Sequence, residues 1–252
     1  MVAASPGGLA VQRSRIATLS AVLAVIGAML FAGGPIAIHA GVATPLSGFY
    51  AFALGGIVFG LAALVLGALG LYVTRPAATR GGRGLAVLGS GLGLLMVGAV
   101  FAGASSGGGL PPINDITTNT EDPPVFAHAR ELEANRGRDM SYPGEAFARQ
   151  QHAAYPDLEP IRLDISTGDA YEKALTAIGG FGWVITRSDR YSGSIEATDT
   201  TPVFRFVDDI VVRIREVDGV TVVDVRSKSR DGRGDLGTNA ARIRALRDAL
   251  RE

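Results

Sequence analysis

From Ile16 to Thr74 the chain carries no charged residue. A helix crosses a bilayer with ~20 apolar residues, so this run holds two crossings. Pro35, His39, Pro45, Ser47 and the glycines between them interrupt it. The pattern predicts a first helix from about Ile16 to Ile38 and a second from about Phe49 to Val73. The segment TRPAATRGGRG follows, and a third apolar stretch then runs from Leu85 to about Ala104. SSGGG and LPP after it read as a flexible connector.

Beyond the connector the pattern changes. From Pro111 to about Pro160 the chain reads as extended and loop-rich, with a short helical piece over VFAHARELEANRG and turns at YPG and YPDLEP. A free loop of that length is uncommon in a compact domain, so the arm must lie on something. Phe126, Tyr142, Phe147 and Tyr155 are its expected anchors. Regular structure then begins with IRLDIS, where Ile161, Leu163 and Ile165 alternate onto one face of a strand. Thr167 is expected to cap a helix from about Asp169 to Ile178, ended by Gly179 and Gly180. WVITRSD and YSGSIEATDTT read as further strands, and VFRF continues after Pro202.

The clearest local signal is VDDIVVRIREV-DG-VTVVDVRSKS. Asp218-Gly219 between two β-branched runs predicts a two-residue hairpin turn. That turn pairs Val217 with Val220 and sets Ile214 opposite Val223, Val212 opposite Val225 and Arg213 opposite Asp224. Apolar pairs then fall on one face and an ion pair on the other, so register and pattern agree. A last helix, about Asn239 to Leu250, lines up Ile243, Leu246 and Leu250. The expected fold class is α+β: three transmembrane helices followed by a soluble domain with an antiparallel sheet and helices packed on one face. The expected divisions are 1–15, a cytoplasmic tail; 16–104, the membrane region; 105–160, linker and proline-rich arm; and 161–252, an extracytoplasmic domain.

Charge sharpens the division. All 24 acidic residues lie after residue 114, and the stretch before Asp115 carries five arginines and no lysine, for +5. The rest sets 19 basic against 24 acidic residues, for −5. An acidic half does not suit a polyanion, so nucleic acid is not an expected partner. The absence of cysteine excludes disulfides, thiolate metal sites and cysteine nucleophiles. A cleaved signal peptide fits the first stretch poorly: it is long for an h-region and no A-x-A site follows. An interfacial helix needs a charged face, which these segments lack.

The arginines also predict orientation, because short loops rich in Lys and Arg stay cytoplasmic. Arg13 and Arg15 precede the first helix, and Arg75, Arg80 and Arg83 separate the second from the third. The loop from His39 to Ser47 is uncharged. The N-terminus is therefore expected in the cytoplasm and the C-terminal domain outside it, at a bacterial inner membrane. Gly56 with Gly60, and Gly89 with Gly93, form small-xxx-small pairs suited to close helix packing, within the bundle or with another copy or partner. No Asp, Glu, Lys or Arg lies inside a span, which argues against a pump or transporter.

Several formal motifs carry little chemistry. Gly232-Arg233-Gly234-Asp235-Leu236-Gly237 matches G-x-G-x-x-G, but a dinucleotide site needs a parallel strand and a later acidic residue, and the chain runs out within one helix. Gly103-Ala104-Ser105-Ser106-Gly107 matches G-x-S-x-G without a strand before it. Asp208-Asp209 is a poor chelate, since adjacent strand residues point to opposite faces. His128 and His152 lack a ligand spacing, and no metal or cofactor is expected. Arg226, Lys228, Arg230 and Arg233 cluster before the last helix, whose first turns carry Arg242 and Arg244. Free N–H groups and the helix dipole make that end attractive to anions. The competing reading is that Asp208, Asp209, Asp231 and Asp235 already neutralise these arginines.

LPPINDITTNTEDPPVF, YPDLEP, FRFVDDIVVRIRE and VDVRSKSRDGRGDLGTNAARIRAL occur in this order, and together they resemble the domain of unknown function 1499 family over most of residues 110–252. The three preceding spans look like the membrane-anchored arrangement of some members. The resemblance implies an α+β domain in a bacterial or plastid setting and no particular reaction. Its best-matching positions include Asn114, Asp115, Thr117 and Asp122 in the first block. In the last block they include Arg226, Ser229, Arg230, Asp235, Asn239 and Arg242. The expected ligand-binding set is Arg226, Ser229, Arg230, Asn239 and Arg242, beside a functional surface of Asn114, Asp115, Thr117, Asp122 and Asp235. The expected role is binding of a partner protein or an anionic small molecule. The alternative is a hydrolase-like envelope enzyme using these Asp and Arg residues. A pocket gathering Asp115, Asp122, Arg230 and Arg242 with a buried carboxylate would mark the enzyme, and separate, mutually satisfied ion pairs a binding or structural role.

Overall fold

The structure, a computed structural model, describes residues 12–105 and 108–252. The chain divides into two compact units, Met1–Ser105 and Ser106–Glu252. Residues 1–11 of the expected tail, and Ser106 and Gly107 of the G-x-S-x-G match, lie outside the described residues.

The first unit is a helical bundle of α1 (Arg15–His39), α2 (Pro45–Ala53), α3 (Gly60–Val73) and α4 (Arg83–Ser105). A π-helical turn, Leu54–Phe59, joins α2 to α3, so Pro45–Val73 is one continuous span. Three helices are thus long and apolar enough to cross a membrane. The second span starts earlier than expected because Thr44 caps it and Pro45 occupies its first turn, where proline's missing N–H costs nothing. Ser14 caps α1. Its neighbour Arg13 bridges to Gly81, which puts the arginine-bearing segments at one end of the bundle.

Small residues set the helix spacing. A Cβ on Gly93 would lie 2.6 Å from the Gly60 carbonyl oxygen and 2.7 Å from the Leu64 nitrogen. Gly56 faces Val100 and Phe31, Gly60 faces Val97 and Met96, and Gly89 faces Ser20. The four glycines considered for self-association therefore spend their close approach within the chain, because a neighbouring helix already occupies each face.

The second unit is a six-stranded sheet with every pairing antiparallel among the described residues. Its strands are β1 (Asp115–Thr117), β2 (Ile161–Leu163), β3 (Val184–Asp189), β4 (Ser194–Thr200), β5 (Val207–Val217) and β6 (Val220–Ser229). The order is β1-β6-β5-β4-β3, with β2 also pairing β6. The hairpin register is the expected one, from Val217↔Val220 through Arg213↔Asp224 to Val212↔Val225. Asp218 and Gly219 both take positive φ, 54° and 78°, as a type I′ turn requires. Helices α6 (Thr167–Gly180) and α7 (Thr238–Arg251) cover one face. There Ile210, Val212, Ile214, Val223 and Val225 meet Ala174, Ile178, Ile243 and Leu246 in the main core.

The arm covers other surfaces and is more ordered than its sequence suggested. It supplies β1, and a helix α5 (Glu145–Ala154) that the pattern missed. The expected helical piece is instead two 3-10 turns, Ala129–Glu131 and Glu133–Asn135. Phe126 is fully buried and packs with Ala129, Met140 and Val211, while Tyr155 joins the main core. Glu196, itself buried, accepts the His128 and Ala129 N–H groups, each at 2.7 Å, and so pins the first of those turns to the sheet.

Three further expectations need correction. Ser166, not Thr167, caps α6, because its Oγ accepts the Asp169 N–H at 3.1 Å. VFRF is not strand: Arg205 takes φ 55° and the chain turns before β5 begins at Val207. The strand in IRLDIS stops at Leu163, so Ile165 stays exposed.

Asp157 in the YPDLEP turn ties that segment to α7 through Arg244, at 2.6 Å, and Arg247. The Arg244 hydrogen bonds are the main reason its pKa is lowered from 3.8 to about 2. A depressed folded-state pKa contributes stability that is present above the unfolded value and is lost as pH falls through the folded one. Asp157→Asn should therefore melt below wild type at neutral pH. The two melting curves should converge as pH drops from 3.8 towards about 2. A gap that persists unchanged at the acid end would contradict this.

Candidate functional site

The first and last family-like blocks meet where β1 lies against β6. Alternation sends Asp115, Thr117, Asp224, Arg226 and Lys228 to the face away from α6 and α7. Cross-strand register sets Lys228 between Asp115 and Asp209. Burial would make these charges costly alone, and each has partners. The Asp115 carboxylate takes two 2.8 Å hydrogen bonds from Arg226 Nε and Nη2 and one of 2.9 Å from Lys228 Nζ. Arg226 also donates to the Pro124 and Met140 carbonyls and packs against the Phe126 and Tyr142 rings. Burial, then the Asp115 charge, pushes the Tyr142 hydroxyl up to about 12. Thr117 exchanges backbone hydrogen bonds with the buried Gln151 side chain.

Asp208 and Asp209 diverge as adjacent strand residues must. Asp209 holds Arg230 in a bidentate pair, 2.7 and 2.9 Å, which raises the Arg230 pKa. Asp208 faces the helices. There it shares Arg242 with Asp199, at 2.8 and 2.7 Å. Ser227, Ser229 and Asn239 complete that network: Asn239 donates to Ser229 Oγ at 2.9 Å and accepts from Ser227 at 2.6 Å. Asp122 is exposed and pairs with Arg213, which also meets Asp224. Asp115, Asp122, Arg230 and Arg242 thus sit in four separate ion pairs.

The start of α7 is occupied by the chain itself. Asp235 accepts the Gly237 N–H at 2.9 Å and the Asn239 N–H at 2.7 Å, and burial is the main reason its pKa is raised. The anion expected at that helix end is therefore the protein's own carboxylate. The G-x-G-x-x-G match leads from an antiparallel strand, which gives it no dinucleotide geometry.

A cavity of about 250 Å³ opens beside these pairs. Asn114, Ser229 and Arg230 line it, together with Lys228, Asn135, Arg138, Asp139, Met140 and Asp209. Asn135 is 2% exposed; its Nδ2 donates to the Ala129 carbonyl and to Asp209, while its Oδ1 has no hydrogen-bond partner. Arg138 reaches across to the Arg230 carbonyl and to Asp231. Of the expected residues, the fold brings Asn114, Ser229 and Arg230 to this cavity, with Asp115 one contact behind through Lys228. Arg226 is sealed beneath it, and Arg242 and Asn239 lie on the opposite sheet face. Asn135 and Arg138 escaped notice because no periodicity marks the arm, and their partners are about seventy to ninety residues away.

Fold and site together define a membrane protein: three candidate spans followed by an α+β domain whose charged residues are mostly spent on one another. The chain belongs to the family described as protein of unknown function (DUF1499), whose model matches residues 115–250. The curated proteins yield no match to it.

Proposed function

We propose that the protein is a multi-pass inner-membrane protein that holds its DUF1499 domain outside the cytoplasm, where the domain binds a small anionic molecule. In this reading 1–15 is a cytoplasmic tail and 16–104 spans the membrane, while 105–160 leads as linker and arm into 161–252. The supporting observation is the cavity, whose lining sets Arg138, Lys228 and Arg230 against Asp139 and Asp209 and includes Asn135, whose buried Oδ1 has no hydrogen-bond partner. A ligand with a carboxylate or phosphate and one hydroxyl or amino donor answers both features. The dispersal of Asp115, Asp122, Arg230 and Arg242 into separate pairs favours a binding or structural role over hydrolysis.

The test is recovery of the full chain from membranes in mild detergent, with mass spectrometry of the small molecules that stay bound. Arg138→Ala combined with Lys228→Gln should lower retention of the bound anion by at least about tenfold, since hydrogen bonds to charged groups are worth ~1.5–3 kcal/mol. Equal retention by wild type and variant would remove the ligand reading. The arginine distribution supports the orientation. A reporter enzyme fused after Glu252 should be active only outside the cytoplasm, and cytoplasmic activity would reverse that assignment.

A further inference from the structure

Four connections gather at one end of the sheet. The entering strand residues before Asp115, the turn before Val184, the 201–206 loop between β4 and β5, and the 230–237 loop between β6 and α7 all lie there. The register requires it: Thr200 pairs Val207, Asp208 pairs Ser229, and Asp115 pairs Lys228. The opposite end carries the Asp218-Gly219 turn and Tyr191, which is fully exposed.

The first end has an unusual surface for a water-facing domain. Leu236 and Val184 are 59% and 64% exposed, and Phe181, shortly before Val184 in sequence, is exposed too. Arg205 and Arg233 are exposed cations outside the ion pairs described above. Among the described residues, and apart from Asp218 in the hairpin turn, the non-glycine residues with positive φ are Arg205, at 55°, and Leu236, at 53°. Both are held in that costly conformation with their side chains in solvent. Apolar and cationic side chains mixed on loops suit a headgroup layer, where the apolar groups leave water and the arginines meet lipid phosphate.

The tether argues for the same occupant. Leu110 packs on the domain core, close to Gly237 in the 230–237 loop. Only four residues separate it from Ser105, the last residue of the third candidate span. Five extended residues reach at most about 18 Å, whatever path they take. We infer that this end of the α+β domain is a lipid-contact surface, on which Leu236 and Val184 enter the headgroup region and Arg205 and Arg233 hold lipid phosphates. Asn114 and Arg230 at this end line the cavity, but none of Leu236, Val184, Arg205 and Arg233 does, so quenching at these positions tests the inference separately from retention of a bound anion.

The chain has no cysteine, so single-cysteine variants report individual positions. Full-length Leu236→Cys, Arg233→Cys and Tyr191→Cys would each carry an environment-sensitive fluorophore. Each would be reconstituted in vesicles of phosphatidylethanolamine and phosphatidylglycerol doped with headgroup spin-labelled lipid. Trp183 fluorescence, from the lone tryptophan, checks that each is folded. Quenching at positions 236 and 233 should exceed that at 191 several-fold. Arg205→Glu with Arg233→Glu, read from the label at 236, should reduce it. Equal quenching at 236 and 191 would overturn the inference. So would a label at 236 shielded from both lipid quencher and aqueous iodide, since that would mean a protein surface covers it.

Discussion

Arg226→Ala is expected to destabilise the α+β domain by about 3–5 kcal/mol, the usual cost of breaking a buried ion pair. The substitution strips the Asp115 carboxylate of both 2.8 Å hydrogen bonds from the guanidinium and leaves it fully buried with Lys228 alone. It also leaves the Pro124 and Met140 carbonyls without their donor and opens a gap beside the Phe126 and Tyr142 rings. Those carbonyls belong to the arm, so the arm should loosen first. Denaturant unfolding of the full chain in detergent, followed by Trp183 fluorescence, gives the loss in stability. Limited proteolysis should find new cleavage between residues 124 and 140. The paired replacement Asp115→Leu with Arg226→Met should recover part of the loss, because it removes the bare buried carboxylate, while Lys228 loses its partner and the Pro124 and Met140 carbonyls stay without their donor. A loss below about 1 kcal/mol for Arg226→Ala, typical of an exposed pair, would show that the pair is not sealed.

In the bundle the largest effect is expected at Gly93. Gly93→Leu places side-chain atoms where the Gly60 carbonyl and Leu64 nitrogen already stand within 3 Å of a Cβ position. Both are backbone atoms, so no rotamer change relieves the clash, and α4 must move away from α3. Overpacking of this kind costs ~1–3 kcal/mol, and lost close packing adds to it in lipid, where dispersion holds helices together. Gly91→Leu is the control, because a Cβ at Gly91 meets nothing within 4 Å. Circular dichroism of the purified chain during sodium dodecyl sulfate titration should show Gly93→Leu losing structure at lower detergent fraction than Gly91→Leu. Equal behaviour would mean that α3 and α4 do not pack as described.

Much of the architecture was legible because it follows from local periodicity. The spans are uncharged runs long enough for a bilayer, each bounded by arginine at one end and by proline, glycine or serine at the other. The β5–β6 hairpin was readable to the residue, since Asp218-Gly219 dictates the turn and the two-residue repeat dictates which side chains share a face. The arm was not. Its strand β1 has three residues and exists only because Asp115 and Thr117 find β6 more than a hundred positions later. Helix α5 buries only Ala148 and Gln151, and that glutamine was indistinguishable from a surface residue.

The site divides along the same line. Its charged blocks stood out as composition, and their meeting place was inferable from two blocks that match one family. Which arginine is sealed and which borders the cavity was not. Arg226, Arg230 and Arg242 are equivalent in the sequence. One is buried under Phe126, one lines a cavity with Asn135 and Arg138, and one faces α7 with Asp199 and Asp208. By itself the sequence determined that the chain's first hundred residues suit lipid, that an antiparallel α+β domain follows, and where its central hairpin turns, because these depend on neighbours within a few residues. Only the tertiary structure decided how the ion pairs are shared out and where a cavity remains, because a charge's partner is chosen by strand register and by a long arm folding back. Neither of those leaves a local trace.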